Sequence, residues 1–337
     1  MHYINISDLV DRDWRFLEPV STAPELSWDM RYGRPQNRLE RLVTRPAVAR
    51  YRACTSAVWS ARRRSDAVLV SHLPNVTLAT AGLARLIAPG RPHVAFAFNY
   101  THLPEGRRLA LSQRYFQDVA EFVVFSRHEV GLYADLFDLP PSRFTFLPWA
   151  MQAPEVASHH PPPFEGAYLS AIGGEGRDYH VLAEAMRAAQ DLQLAIVARP
   201  DSIEGICFPE NVKVFTNLPG PVTWAIAQKS CGMAIPLRTD RTPNGHVTLV
   251  GAQLLGVPLA VTRSAGVADY VDSETALLVS PQDAGEMAHA LRALTEDTEA
   301  AQTRAALAQK RAGLRSDVAV WLRYFTELDL RLSDGRL

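Results

Sequence analysis

The chain has 337 residues, 47% of them apolar and 21% charged, with a formal net charge of −1. That length carries two α/β domains with their own cores, and the near-neutral balance names no polyanionic partner. No run approaches the about 18 apolar residues of a membrane span, and Cys54, Cys207 and Cys231 form no CxxC pair or metal spacing, so a soluble protein of the reducing cytoplasm is expected.

His2–Ser7 predicts a short first strand. Acids appear early around it and no apolar segment follows, so no signal peptide is expected. No glycine-rich turn follows the strand either; the next glycine is Gly33. Trp14, Phe16 and Trp28 are core or lid aromatics, which sequence alone does not separate.

Residues 31–64 are strongly basic. They hold Arg31, Arg34, Arg38, Arg41, Arg45, Arg50, Arg52, Arg62, Arg63 and Arg64 against the single acid Glu40, a local charge of +9. Arg34, Arg38, Arg41 and Arg45 recur at helical spacing, which predicts one helix face; Pro46 interrupts it, and a second helix runs on to Arg64. Two readings stand: a solvated face whose arginines pair with acids elsewhere, or a face that docks on an anionic membrane surface or an acidic acceptor. No nucleic-acid motif accompanies the arginines, so nucleic acid is not an expected partner.

From Asp66 the alternation is regular. Strands are predicted at Ala67–Ser71, Val94–Phe98, Phe122–Phe125 and Phe144–Leu147, with helices at Val76–Ile87, Arg107–Val119 and Arg127–Phe137 between them. Residues 151–166 hold four prolines and read as a linker; His159 and His160 within it have no companion ligands for a metal. A second series follows: strands Ala167–Ile172, Leu194–Ala198, Val212–Phe215, Met233–Leu237, Pro258–Thr262 and Ala276–Val279, with helices Tyr179–Ala189, Val222–Gln228, one after Gly245, and Ala284–Leu294. Residues 297–333 are helical, with Trp321, Leu322, Tyr324, Phe325 and Leu328 on an apolar stripe. The predicted fold class is α/β, two Rossmann-like doubly wound parallel-sheet domains facing each other across a cleft. The boundaries are 1–152, a linker at 153–166, 167–315, and a terminal helix at 316–337 that returns to brace the first domain.

Ligands of such sheets bind at the carboxyl ends of strands. Those ends carry His72 through Asn75, Asn99-Tyr100-Thr101-His102 and Ser126 in the first half. In the second they carry Gly173-Gly174-Glu175-Gly176-Arg177, Arg199, Phe215 through Leu218, and Arg238. The stretch Gly232–Ser280 is the most telling. A strand and a loop lead to Pro243-Asn244-Gly245-His246, and a helix then carries Val247 and Thr248. A glycine lets backbone approach a ligand, and the free amides of a first helical turn favour an anion such as a diphosphate.

These pieces together resemble GT-B-fold glycosyltransferases of the family 4 type, over roughly residues 66–296. Asp66 through Asn75 is similar to the acceptor-domain strand that ends in a histidine facing the donor sugar. Phe125 through Glu129, then Phe144 through Pro148, resemble the serine turn and the strand before the linker. Gly173 through Ala185 resembles the phosphate-binding segment, with Arg177 where a lysine is usual. Gly245–Pro258, Gly266 through Tyr270 and Ala276 through Val279 resemble the donor-site segment. The family's two donor-site glutamates match Pro243 and Gly251, so their contacts must come from elsewhere; Asn244, His246, Asp240, Gln253 and Asp269 are the candidates.

The resemblance implies a nucleotide-diphosphate sugar as donor, no cofactor and no metal, and transfer to a hydroxyl of a lipid-linked, polysaccharide or glycan acceptor, with retention of configuration. Catalytic candidates are His72, Arg177 and His246. Gly173, Gly174, Arg177, Asn244, Gly245, His246, Val247 and Thr248 are expected around the diphosphate. Arg199, Thr216, Asn217, Leu218 and Gly251 are expected around the nucleoside, and Asn99, Tyr100 and His102 on the acceptor side. If the reaction inverts, His72 and then His102 are the candidate bases. The implied location is the cytoplasm, with peripheral attachment at the inner membrane face through residues 31–64. The missing glutamates also motivate a second reading, a GT-B sugar- or nucleotide-binding protein that no longer turns over. A sugar-nucleotide epimerase is a third.

Overall fold

The structure, a computed structural model, describes residues 1–8, 17–43, 47–238 and 243–334. The chain begins with β1 (His2–Ser7), α1 (Glu18–Ser21), β2 (Ser27–Tyr32), α2 (Arg38–Leu42) and α3 (Val48–Arg62). It continues through β3 (Ala67–His72), α4 (Pro74–Ile87), β4 (His93–Phe96), α5 (Gly106–Phe116), β5 (Glu121–Val124), α6 (Arg127–Phe137) and β6 (Phe144–Phe146). Then come β7 (Leu169–Ile172), α7 (Tyr179–Ala188), β8 (Leu194–Ala198), α8 (Pro200–Ile203), β9 (Val212–Thr216), α9 (Gly220–Gln228) and β10 (Gly232–Ile235). The last elements are α10 (His246–Leu254), β11 (Leu259–Thr262), β12 (Leu277–Val279), α11 (Ala284–Glu296), α12 (Thr298–Arg315) and α13 (Ala319–Ser333). They divide into two compact units, Met1–Pro148 with Val318–Leu337, and Trp149–Asp317.

The first unit is a six-stranded sheet in the order β2-β1-β3-β4-β5-β6, and every pairing is parallel. From β2 onward each crossover moves the same way along the sheet. Right-handed connections therefore put α3, α4, α5 and α6 on one face, where each packs on the next. The β1–β2 connection runs the other way, and α1 packs against α13. α13 supplies the aromatic layer of this unit. Phe325 is fully buried, with its ring centroid 5.6 Å from Tyr3, 4.9 Å from Trp28 and 5.3 Å from Phe96. Trp321 lies 5.2 Å from Phe96 and donates its indole N–H to the Pro148 carbonyl at 2.9 Å. Trp28 is thus a half-buried member of this aromatic layer; Trp14 and Phe16 lie outside the described residues.

The second unit has the order β12-β11-β10-β7-β8-β9, again all parallel. The chain leaves β7 for β8 and β9 on one side and later fills the other side with β10, β11 and β12. The strand order therefore reverses between β7 and β10, the switch point at which α/β sheets open a crevice beyond their carboxyl ends. The predicted linker is packed on this unit: the Ala157 amide bonds Pro221 O at 2.9 Å, the Lys229 ammonium bonds Ser158 O and His160 O, and Phe164 is buried against Tyr168.

Three expectations need correction. β2 was not predicted; it is a sheet-edge strand, SWDMRY, none of it fully buried, so it lacks an apolar pattern. The arginine helix is short: Asn37 caps α2 through its side chain, which leaves Arg34 outside the helix, and Arg45 lies outside the described residues. Residues 297–333 form two helices, with the break at Ser316–Val318 passing the chain from the second unit to the first.

Candidate functional site

On the second sheet, neighbouring strands deliver three loops to one edge. β7 runs into Gly173–Arg177, β8 into Arg199 and β9 into Asn217. The register pairs Ile172 with Val197 and Ala198 with Thr216, so these exits lie side by side at about 4.8 Å per strand. On the other flank of β7, β10 leads to Leu237 and Arg238.

The glycine loop is pinned across the switch point. Arg177 bridges antiparallel to Leu237, the Asp178 amide donates to Pro236 O at 2.8 Å, and the Arg238 amide donates to Gly176 O at 2.9 Å. The Tyr179 hydroxyl donates to Gly173 O at 2.5 Å. Only glycine fits here. Gly173 and Gly176 have φ of +121° and +74°, and a Cβ on Gly176 would meet Asn244 Cγ at 2.6 Å.

This fold turns Arg177 inward, 3% exposed. Its Nη2 donates to Thr248 Oγ1 at 2.9 Å and its Nη1 to Glu175 O at 3.3 Å. Its Nε has no partner, and among the described residues no carboxylate pairs with the guanidinium. Burial presses its pKa down, opposed by the neighbouring Tyr179 hydroxyl. α10 starts beside it. Gly245, at φ +96°, is the N-cap and brings no side chain, so the first-turn amides of His246, Val247 and Thr248 have no acceptor within the helix. A Cβ on Gly245 would lie 3.4 Å from Arg177 Nη1. Among the described residues a buried cation with no carboxylate partner and a helix N-terminus with no side-chain cap therefore adjoin, and both favour an anion.

The predicted diphosphate residues Gly173, Gly174, Arg177, Asn244, Gly245, His246, Val247 and Thr248 are thus gathered by the glycine loop and the start of α10. The role of the His246 side chain is different from the one expected. Its Nε2 hydrogen-bonds Gly266 O at 2.8 Å and its ring meets Tyr270 edge-on at 4.8 Å, so the imidazole holds the loop and only its backbone is offered to a ligand. Gly266 also abuts the loop, since a Cβ there would lie 2.6 Å from Pro243 Cα.

Of the nucleoside candidates, Arg199, Thr216 and Asn217 are exposed on adjacent strand ends, with Leu218 half-buried next to them. Arg199 lies over Gly174 and pairs with Glu175 at 3.2 Å. Gly251 is corrected: a Cβ there would lie 2.5 Å from the Trp224 ring, so this position serves helix packing. Gln253 is also engaged, donating to Tyr270 O and accepting from Arg315 Nη2 at 3.0 Å. Arg315 stacks on Tyr270 at 4.8 Å and so braces the turn behind His246. Sequence patterning had no signal for Arg315, which is 62 residues from Gln253. Asp240 lies outside the described residues.

In the first unit, His72 ends β3 buried, with its ring 5.7 Å from Phe96, so its imidazole is not open to solvent. Tyr100 is core, among Phe98, Tyr133 and Phe137, with its hydroxyl pushed up to about 12 by burial. Asn99 is half-buried and His102 exposed. Ser71 Oγ lies 2.8 Å from Nε2 of the buried His93.

Burial lowers the imidazoles of His72 and His93 to about 3 and that of His246 to about 4, from an ordinary 6.5. Below 6.5 the unfolded chain takes up protons that the folded chain refuses. Stability is therefore full above 6.5 and is lost as pH falls toward 4, by on the order of 1.4 kcal/mol per pH unit for each histidine. Urea unfolding at about pH 7.5, 6 and 5 should show a falling midpoint; a flat one would contradict the buried, neutral imidazoles.

The sequence matches no protein-family model and no curated protein. Solved structures do match. Sucrose-phosphate synthase from Thermosynechococcus elongatus superposes with a TM-score of 0.72 at 14% identity, covering 99% of this chain and 100% of that one. HepE from Anabaena, in complex with UDP and glucose, gives 0.70 at 14% identity over 97% and 99%. An α,α-trehalose-phosphate synthase (UDP-forming) from Burkholderia vietnamiensis gives 0.70 at 12% over 99% and 100%. This is the GT-B fold. Its second Rossmann-like unit carries the Arg177–α10 arrangement, and its first carries Asn99 and His102.

Proposed function

We propose that the second unit binds a nucleotide-diphosphate sugar and that the protein transfers the sugar to a hydroxyl acceptor, a glycan or a lipid-linked intermediate, without a metal and with retention of configuration. The observation that carries this reading is Arg177, buried and without a carboxylate partner among the described residues, against the uncapped start of α10. An isolated buried charge costs several kcal/mol, which an arriving anion offsets. A guanidinium fork and helix amides suit phosphate oxygens in particular. The UDP complexes of HepE and the UDP-forming synthase make UDP the first nucleotide to test.

In the reaction the bond from the anomeric carbon to the β-phosphate oxygen breaks, and its electron pair stays on the diphosphate. Arg177 and the amides of His246–Thr248 stabilise that charge. The acceptor oxygen bonds to the anomeric carbon, and its proton passes to the departing phosphate. Retention needs no separate base, which accords with His72 and His246 being buried and neutral. The nucleoside extends over Arg199, Thr216, Asn217 and Leu218, and Asn99 and His102 are acceptor-side candidates. Among the described residues no helix is long and apolar enough to cross a membrane. We place the protein in the cytoplasm, peripheral to a membrane.

Thermal-shift screening with UDP-, GDP-, ADP- and CMP-sugars, followed by assays of nucleotide release, tests the reading. One nucleotide should raise the melting temperature, and its sugar conjugate should turn over. No shift with any of them refutes the donor site. A shift without turnover on any acceptor or water favours the non-catalytic reading that Pro243 and Gly251 motivate, and an isomerised donor without acceptor means an epimerase.

A further inference from the structure

We propose that α2 and the open side of α3 form a docking surface for an anionic lipid bilayer. This rests on the membrane-peripheral reading above and gives it a definite face. Glu40 anchors α2 to the body of the first unit. Its Oε2 accepts from the Gln36 amide at 2.7 Å, its amide donates to Asn37 Oδ1 at 2.9 Å, and its Oε1 accepts from Arg52 Nε at 2.8 Å. With Glu40 inward, the opposite side of this short helix faces water. Leu39 and Leu42, three residues apart and so on neighbouring positions of one face, are 62% and 81% exposed. Among the described residues nothing covers them.

The arginines of the segment sort into two groups. Arg31 pairs with Asp29, Arg50 with Asp8, Arg52 with Glu40 and Arg64 with Asp66. Arg34, Arg38, Arg41, Arg62 and Arg63, all exposed, form no ion pair among the described residues, and the first three flank Leu39 and Leu42. Further along α3, Trp59 is 46% exposed beneath the Arg62 guanidinium, 5.8 Å from its ring. Apolar side chains that enter the acyl boundary, ringed by cations that meet phosphate headgroups, make the pattern of a membrane-surface helix.

Charge complementarity selects this occupant. The first unit's sequence holds 22 arginines, no lysine and 17 acids, a net of +5, while the second unit's nets −6. An anionic surface thus attracts one unit and repels the other, which orients the protein. A second copy on this face would set arginine against arginine in a two-fold contact, which is repulsive.

Co-sedimentation with vesicles of phosphatidylcholine alone, and with about a third phosphatidylglycerol, tests the proposal at low and high salt. The protein should bind only the anionic vesicles and be released by salt. Each arginine at the lipid surface contributes about fivefold, so Arg34→Ser, Arg38→Ser and Arg41→Ser together should weaken binding on the order of 100-fold. Leu39→Ser with Leu42→Ser, which leaves the charge unchanged, should weaken it at least about tenfold. Unfolding curves that match wild type show that both variants fold. Absence of binding, equal binding to neutral vesicles, or wild-type binding by the leucine variant overturns the proposal. A dimer in solution that the leucine variant dissociates also overturns it, and assigns the face to copies of this chain. Because no donor is present, failure of the nucleotide assays leaves this result standing, and the reverse also holds.

Discussion

Arg177→Met is expected to weaken nucleoside diphosphate binding by about 3 kcal/mol, on the order of 100-fold, while the unliganded protein melts at the same temperature or higher. The two halves of that result have one cause. In the free protein the guanidinium is buried, bonded to Thr248 and to the Glu175 carbonyl, and faces no carboxylate among the described residues. It carries a desolvation cost that an apolar side chain of similar length does not, and replacing buried charge by a hydrophobe is often neutral or stabilising. With a diphosphate present the same group becomes the main charge partner, and its loss leaves the anion with backbone amides alone. Arg177→Lys should fall between, about tenfold weaker, because an ammonium keeps the charge and loses the fork. Calorimetric titration with UDP and thermal unfolding of the apo proteins check both halves. A variant that binds normally, or one whose apo melting temperature falls together with its affinity, would make Arg177 a structural residue and remove the donor-site reading.

Phe325→Ala should cost about 3–5 kcal/mol, and the loss should fall on the first unit. The ring joins Tyr3 and Trp28 at one end of the chain to Phe96 in the middle and Tyr324 on its own helix. Removing it empties the centre of the layer that α13 lays on β1 and β4. The Arg177 site belongs to the other unit, so the UDP-induced thermal shift should persist in the transition that remains. Differential scanning calorimetry with and without UDP resolves this. A loss of nucleotide response in the folded variant would show that the donor site depends on that core.

The sequence alone decided the alternation of apolar strands and helices, because strands buried on both faces read as unbroken runs such as AVLVSH in β3. It also singled out the two segments that meet at Arg177, because Gly173–Arg177 and Asn244–Thr248 are each contiguous and their glycines mark positive φ or close approach. It could not show β2, an edge strand with no apolar face, nor that the arginine helix stops short of Arg34. The direction of a side chain was the larger gap. Tyr100, His246 and Gly251 are residue types that suit a site, at strand ends or a helix start that suit one, yet packing claims each of them. Burial, and hydrogen bonds to residues 20 or more positions away, decide whether a group meets a ligand or a neighbour. Only the tertiary structure brought Arg177 to Thr248 across 71 residues of chain and left Leu39 and Leu42 exposed among the described residues.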